Sequence, residues 1–434
     1  MEHGTLLGLI PLLVYIVLCF SRFGQIFAVS VGIVVAAIIG HHGIMDIAQG
    51  LRGGLGSFLG YIGLIILLGG GLGQVLKKTG VVKELVYMVT RRMNVNSPQK
   101  AFLVTMTCSV FIVSLLGTLA GGNAILAPIL IPIAASVGVT PNAMAVLLHG
   151  AGASGLFLGP FTPPMVALME FTGLSYPQVL LNAGLPISVI MWIVTFFWAS
   201  RVQKKTAGKN HYSEADIEKI DANQLRSTPH VKRATFVFLV TMLCTVSYGI
   251  YIEGGSTFVV AVMILASLLT GLAGRLQIVE IIDAICEGAK GLIWLFFFFV
   301  LLDPFINFIS DTGAFQALAT MLEPLVKQSG TVGFIGLSTL VGIFGVPGAA
   351  VAQAEVINKM FGPLVESLNV PMTLWVVVLL VGSQMTSFAV PEGDMQGQMG
   401  LARSDDLKSV LCNGWLIVVC TVIYVLIRAI IVAM

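Results

Sequence analysis

Charge is what this sequence has least of. Only 10% of its 434 residues are Asp, Glu, Lys or Arg, against roughly a quarter in an ordinary soluble domain, and 57% are apolar. That composition excludes a soluble enzyme. A bilayer-spanning helix needs about 20 mainly apolar residues, and such stretches recur from residue 5 almost to Met434, leaving no room for a separate soluble domain. Metal and disulfide patterns are also missing. The six cysteines (Cys19, Cys108, Cys244, Cys286, Cys412 and Cys420) fall in apolar segments without CxxC or CxH spacing, and read as small apolar residues. No GxxxxGK[ST], HExxH or nucleophile elbow is present, which leaves ATP-driven transport and membrane proteolysis without support. The near balance of 23 Lys+Arg against 21 Asp+Glu offers nothing to nucleic acid. Only Glu2 and His3 precede the first apolar segment, so it reads as a span and not as a removable signal. The expectation is an all-α polytopic membrane protein, not an enzyme, with no cofactor beyond a coupling ion and with the lipid bilayer as solvent.

What is present is a repeated order of features. One long polar stretch, 201–233, divides the chain into halves 1–200 and 234–434. Sliding one half over the other by 230 positions pairs Pro141 with Pro371, Val146 with Val376, Gly152 with Gly382, Met165 with Met395, Gly184 with Gly414 and Ile193 with Ile423. Those identities are weak on their own in so narrow a composition. The order carries more. Each half reads as two spans, an amphipathic stretch (near 44–57 and 277–288), a third span and a Thr-Gly turn (Thr79-Gly80, Thr312-Gly313). Each then has an apolar segment broken by small residues, an Asn/Pro turn and a span interrupted by prolines. Chain broken in this way cannot meet lipid, because each unpaired backbone group there costs several kcal/mol. The reading is a re-entrant hairpin (about 101–138 and 331–368) followed by a broken helix (about 142–172 and 371–400) in each half. Each repeat then has about five transmembrane helices plus its hairpin.

The basic residues orient this plan. With five spans per half, the linker 201–233, the loops 77–100, 275–290 and 401–410, and Arg22 share one side, which holds 19 of the 23 Lys+Arg; Arg52, Lys327, Lys359 and Arg428 lie elsewhere. The positive-inside rule makes that side cytoplasmic and puts both termini outside. An odd number of spans per half makes the halves inverted repeats, a plan shared by many secondary transporters of the cytoplasmic membrane.

Helix breaks offer amides at half-helix N-termini and carbonyls at C-termini, which suits an anion and a small cation together. The candidate substrate ligands are Gly117, Thr118, Gly121, Gly122 and Asn123 at the first tip, with Ser154, Gly155, Pro160 and Thr162 at the first break. The second half supplies Pro347, Gly348 and Gln353 at its tip, with Ser383, Gln384, Thr386, Ser387 and Pro391 at its break. Small residues also serve tight helix packing. Ionisable groups inside apolar segments are costly, so they are candidates by default. These are His149, Glu170, Asp303, Glu355, Lys359, Glu392 and Asp394. Asn123, Glu355, Glu392, Asp394 and His149 are the candidates for cation or proton coupling, since carboxylate and carbonyl oxygens are hard ligands for Na⁺ and a desolvated carboxylate can carry a proton. Glu355 and Lys359, four apart on a helix, can instead simply pair, and His149 can be a packing residue. The phenylalanine run 296–299 reads as lipid-facing or packing surface, not as a ligand cage.

The run FLVTMTCSVFIVSLLGTLAGGNAILAPILIPIAASVGVTPNAM, with SGLFLGPFTPPMVAL, FTGLSYPQVLLNAGLPIS and LGGGLGQVLKKTGVVKELV, resembles the ion transporter superfamily, and within it the anaerobic four-carbon dicarboxylate carriers and the gluconate permeases. That resemblance implies a homodimer, a scaffold domain and a transport domain holding the two hairpins and broken spans, elevator-type alternating access, and Na⁺- or H⁺-coupled transport of a small organic acid, with the tip and break residues as ligands. A Na⁺/H⁺ antiporter of the same fold is the alternative. Two departures stand out. The tips read Gly-Gly-Asn (121–123) and Pro-Gly-Ala (347–349), and no arginine sits at either break to clamp a carboxylate. The acidic Glu392 and Asp394 point toward cation exchange or a zwitterionic substrate.

Overall fold

Sequence punctuation sets the helix ends. Ser57, Ser97 and Thr118 each accept a hydrogen bond from the backbone three residues on, and Pro98, Pro141 and Pro163 stand in first turns where a missing N–H costs nothing. Gly117 and Gly173 stop their helices at φ near +66° and +67°, a conformation that only glycine adopts freely. The structure is a computed structural model that describes residues 6–19, 24–213, 228–252, 254–345 and 350–434, apart from the side chains at 323, 325–327 and 345. Among these residues there is no strand.

Eight described helices are long and apolar enough to cross a membrane, or nine if the bent pair Pro141–Leu158 and Pro163–Thr172 counts as one span. The protein is therefore the multi-pass, all-helical membrane protein that its composition requires. In chain order the first half contains α1 (Ile10–Cys19), α2 (Gln25–Ile39), α3 (Ile44–Gly56), α4 (Phe58–Lys78) and α5 (Val81–Met93). It continues with α6 (Pro98–Leu116), α7 (Leu119–Ser136), α8 (Pro141–Gly150), α9 (Gly155–Leu158), α10 (Pro163–Thr172), α11 (Tyr176–Val179) and α12 (Leu185–Thr206). The second half contains α13 (Pro229–Tyr251), α14 (Gly255–Ala273), α15 (Ile278–Lys290), α16 (Ile293–Asp311) and α17 (Ala314–Gly345). After it come α18 (Ala350–Ser367), α19 (Met372–Gln384), α20 (Thr386–Ala389), α21 (Gly393–Ala402) and α22 (Leu407–Ala433). α17 is two helices joined at Gly330, where φ is +66°.

Two groups of contacts organise the helices. On the periphery, the amphipathic helices cross between halves: α3 lies on α16, and α15 lies on α4. At the centre, α6 packs on α7 and α17 on α18, each as a hairpin. The second piece of each broken span then crosses over, with α10 against α18 and α19, and α21 against α7 and α8. The long helices α12 and α22 close this centre against each other.

Glycine makes these crossings possible. A Cβ on Gly288 of α15 would collide with the Gly70 carbonyl of α4, and one on Gly71 would stand 2.8 Å from an Ile285 methyl carbon, so the two backbones touch without intervening side chains. The aligned pair Gly184 and Gly414 does equal work at the centre. A Cβ on Gly184 would strike the Phe157 carbonyl, and one on Gly414 the Phe388 carbonyl. Replacing Gly288 by Val is expected to cost about 1–3 kcal/mol or more through overpacking, read as a lowered melting temperature of the detergent-solubilised protein. Gly291→Ala, where the added methyl meets open space, should leave it unchanged; equal losses would exclude close packing as the cause.

Candidate functional site

The turn of the first hairpin, the start of α18 and both breaks open onto one cavity of about 840 Å³. Gly117 ends α6 and Thr118 caps α7, and a Cβ on Gly117 would sit 3.1 Å from Pro163 Cδ, so the tip is pressed against the first break. Gly117, Thr118, Gln353, Ser383, Gln384, Thr386, Ser387, Pro391, Glu392 and Asp394, all singled out in the sequence, line this cavity. Pro347 and Gly348 lie outside the described residues.

The other candidates lie behind it. Asn123 is fully buried: its amide nitrogen donates to Leu148 O (3.0 Å) and Gln398 Oε1 (2.7 Å), and Ser109 Oγ donates to its oxygen. It thus stitches α7 to α8 and α21. Gly121 and Gly122 have no room for a Cβ beside Thr118 and Val113. Ser154 Oγ donates to Ala151 O (2.6 Å) and accepts from Trp192 Nε1 (2.8 Å); Gly155 O accepts from Ser114 Oγ (2.9 Å). Thr162 Oγ1 bridges the first break by hydrogen bonding with Leu156 O and Gly159 O. Pro160 and Glu170 border a different cavity, of about 660 Å³, where Ser256 Oγ donates to Glu170 Oε2 at 3.4 Å.

Two coupling candidates also stand away from the main cavity. His149 is buried with its ring 4.6 Å from that of Phe388; the Ser387 backbone is the polar group beside it, and no hydrogen bond of standard geometry closes. Glu355 Oε1 pairs with Lys359 Nζ at 3.1 Å, leaving Oε2 buried without a partner. Lys359 Nζ also donates to Asn307 Oδ1 (3.0 Å), and Asn307 donates to Asp303 Oδ2 (3.2 Å).

Unlike Glu355, Glu392 and Asp394 have no cationic neighbour among the described residues. Glu392 caps α21 and Asp394 stands in its first turn, where a carboxylate complements the helix dipole. Glu392 is half-buried and Asp394 exposed, yet both face the cavity, so their open surface is cavity surface. No Lys, Arg or His is among the described residues that line it.

Several lining residues carried no signal in the sequence. Trp294, Leu295 and Phe299 form an apolar wall with Phe157 and Phe388. The run 296–299 therefore serves several surroundings at once: Phe297 is exposed toward lipid, Phe298 is packed inside, and Phe299 lines the cavity. Ser109 and Gln398, which hold Asn123, were also unmarked. The spacing that finds one such relation is the 230-residue offset itself: Asn123 and Gln353 are 230 apart and make matching stitches, Gln353 Nε2 donating to Gly382 O as Asn123 does to Leu148 O.

Comparison with known proteins bears on the fold. The profile of the Na⁺/H⁺ antiporter family matches residues 4–175. No curated protein matches the sequence. Among solved structures, the fold is similar to MtrF of Neisseria gonorrhoeae, described as illuminating a class of antimetabolite efflux pumps, with TM-score 0.61, 15% identity, and coverage of 89% of this chain and 84% of that one. It is also similar to the YdaH transporter of Alcanivorax borkumensis, described as having an unusual topology, with TM-score 0.64, 13% identity, and coverage of 96% of this chain and 98% of that one. Nearly the whole chain thus has the fold of a membrane transporter.

Proposed function

We propose that the protein is a secondary active transporter in which Glu392 and Asp394 carry the coupling cation, Na⁺ or H⁺, and the same cavity holds a small organic solute. The observation that carries this reading is the convergence of both breaks and the first hairpin turn on a single cavity with two carboxylates and no basic lining residue among those described. Carboxylates beside hydroxyl and carbonyl oxygens suit a hard cation or a proton. The match of residues 4–175 to the Na⁺/H⁺ antiporter family supports the same choice. A volume of about 840 Å³ exceeds what a lone ion needs and falls within the range of small-molecule sites, roughly 300–1,000 Å³. A bare organic acid, the first expectation from sequence, would find helix N-termini in this cavity but no cationic side chain among the described residues. Na⁺/H⁺ exchange without an organic solute is the second reading, and the acidic pair favours it equally.

The packing supports alternating access between inverted repeats. Each half sends the second piece of its broken span to the other half's hairpin, and positions 230 apart (Asn123 and Gln353, Gly184 and Gly414) make similar contacts to backbone carbonyls 231–234 positions apart. In an elevator arrangement, the central hairpins and broken spans would slide against the peripheral α2, α3, α4, α15 and α16. The Lys359 network is a polar tie between α18 and α16, and so between those two bodies. The linker 201–233 lies in the cytoplasm in this reading, by its basic residues.

Three measurements follow. In proteoliposomes, Na⁺ added against a preset pH gradient should collapse it, and Glu392→Gln and Asp394→Asn should each slow the collapse about tenfold or more; unchanged rates in both variants would remove the acidic pair from coupling. Lys359→Met strands a buried carboxylate and is expected to destabilise the protein by about 3–5 kcal/mol, with much of the loss recovered in Glu355→Gln/Lys359→Met; a single variant as stable as the parent would show that the pair carries no burial cost. A protease site inserted in the linker should be cut in inside-out vesicles only, and cleavage in right-side-out cells would reverse the orientation.

A further inference from the structure

The two stitching amides, Asn123 and Gln353, are not equally satisfied. In the first half, Ser109 Oγ donates to the Asn123 oxygen. Its counterpart 230 residues on is Thr339, whose hydroxyl turns back to donate to Ile335 O at 2.7 Å. Gln353 Oε1 is therefore left with no donor, although the residue is only 1% exposed. The amide cannot be read the other way round: its nitrogen donates to Gly342 O (2.6 Å) and Gly382 O (2.9 Å), which can only accept, and lies 2.7 Å from Thr386 Oγ1. An orphaned buried acceptor costs about 1–3 kcal/mol unless something arrives to donate to it. Gln353 lines the same cavity as Glu392 and Asp394, which brings three unpaired acceptors, one amide oxygen and two carboxylates, to a lining that also holds the amides of Gln25 and Gln384. The apolar part of the lining includes Trp294, Phe299 and Phe388.

We propose that the organic solute of this cavity carries a protonated primary amine on an apolar body, the ammonium group donating to Gln353 Oε1 and to the carboxylates of Glu392 and Asp394, and the body lying on the aromatic wall. An ammonium supplies three donors and one positive charge, which matches three acceptors of net negative charge. A carboxylate without an amine brings only acceptors and like charge to the same groups. The inference rests on the reading of this cavity as the transport site.

The test is an isosteric series on the purified wild-type protein: 2-phenylethylamine, L-phenylalanine and 3-phenylpropionate, with binding followed by calorimetry and by quenching of tryptophan fluorescence. The amine is expected to bind at least about tenfold more tightly than 3-phenylpropionate, the difference that one charge-assisted hydrogen bond represents. Binding of L-phenylalanine alongside the amine identifies an amino-acid-like zwitterion as an accepted form, and binding of the amine alone identifies a simple amine. Glu392→Gln and Asp394→Asn should weaken the amines and leave 3-phenylpropionate unchanged. Equal or tighter binding of 3-phenylpropionate, or no binding of either amine, overturns the proposal. If Na⁺ still collapses the pH gradient in that case, the cation-coupled reading stands and only the substrate class falls. If the amines bind while Na⁺ does nothing, the coupling reading falls and the substrate class stands.

Discussion

The rest of the structure depends on one constraint: backbone amides and carbonyls released at a helix break cannot be left facing hydrocarbon. Two spans are broken, and the way their loose groups are met organises the centre of the protein. Thr162 closes onto the carbonyls of Leu156 and Gly159, and Thr386 onto that of Ile343. Asn123 and Gln353 reach across from the hairpins to carbonyls at the ends of α8 and α19. The second piece of each broken span is then covered by the other half of the chain. Both breaks open onto the main cavity, and Glu392, Asp394 and the Gln353 oxygen bring unspent polarity to its lining.

The few buried charges divide along the same line. Glu355 is matched by Lys359 and tied through Asn307 to Asp303, all within contact distance and away from the cavity. Lys359, shared between Glu355 of its own helix and Asn307 of α16, joins the two helices. Glu392 and Asp394, two positions apart at the start of α21, have no such counter-charge among the described residues and face open volume. Carboxylates in one membrane domain therefore have two different roles, and the neighbour, not the residue type, decides which.

Close backbone approach is what lets so many crossings fit. Gly70, Gly71 and Gly288 bring α4 and α15 into direct contact, and Gly184 and Gly414 let the long helices touch the carbonyls of Phe157 and Phe388, whose side chains form part of the cavity wall. In lipid no hydrophobic force drives helices together, so this close van der Waals packing has to hold them. A rigid wall around a polar site is the consequence.

Composition and order alone determined that the chain is a helical multi-pass membrane protein, where its polar linker lies, and where its spans are interrupted, because hydrophobic length, proline and glycine act locally and are read one segment at a time. The acidic pair and most of the polar cavity lining were legible for the same reason: a carboxylate or amide in an apolar segment is conspicuous. What only the tertiary structure decided is which of these groups meet. Asn123, Ser154, Thr162 and Glu355 looked equivalent to Thr118, Gln353 and Glu392 in the sequence, yet Asn123 and Ser154 are held by distant helices, Thr162 closes on carbonyls of its own break and Glu355 pairs within its own helix, while the last three line the cavity. Nor does any local pattern mark Phe299 apart from Phe297, since which face of a helix meets a cavity and which meets lipid depends on neighbours hundreds of residues away.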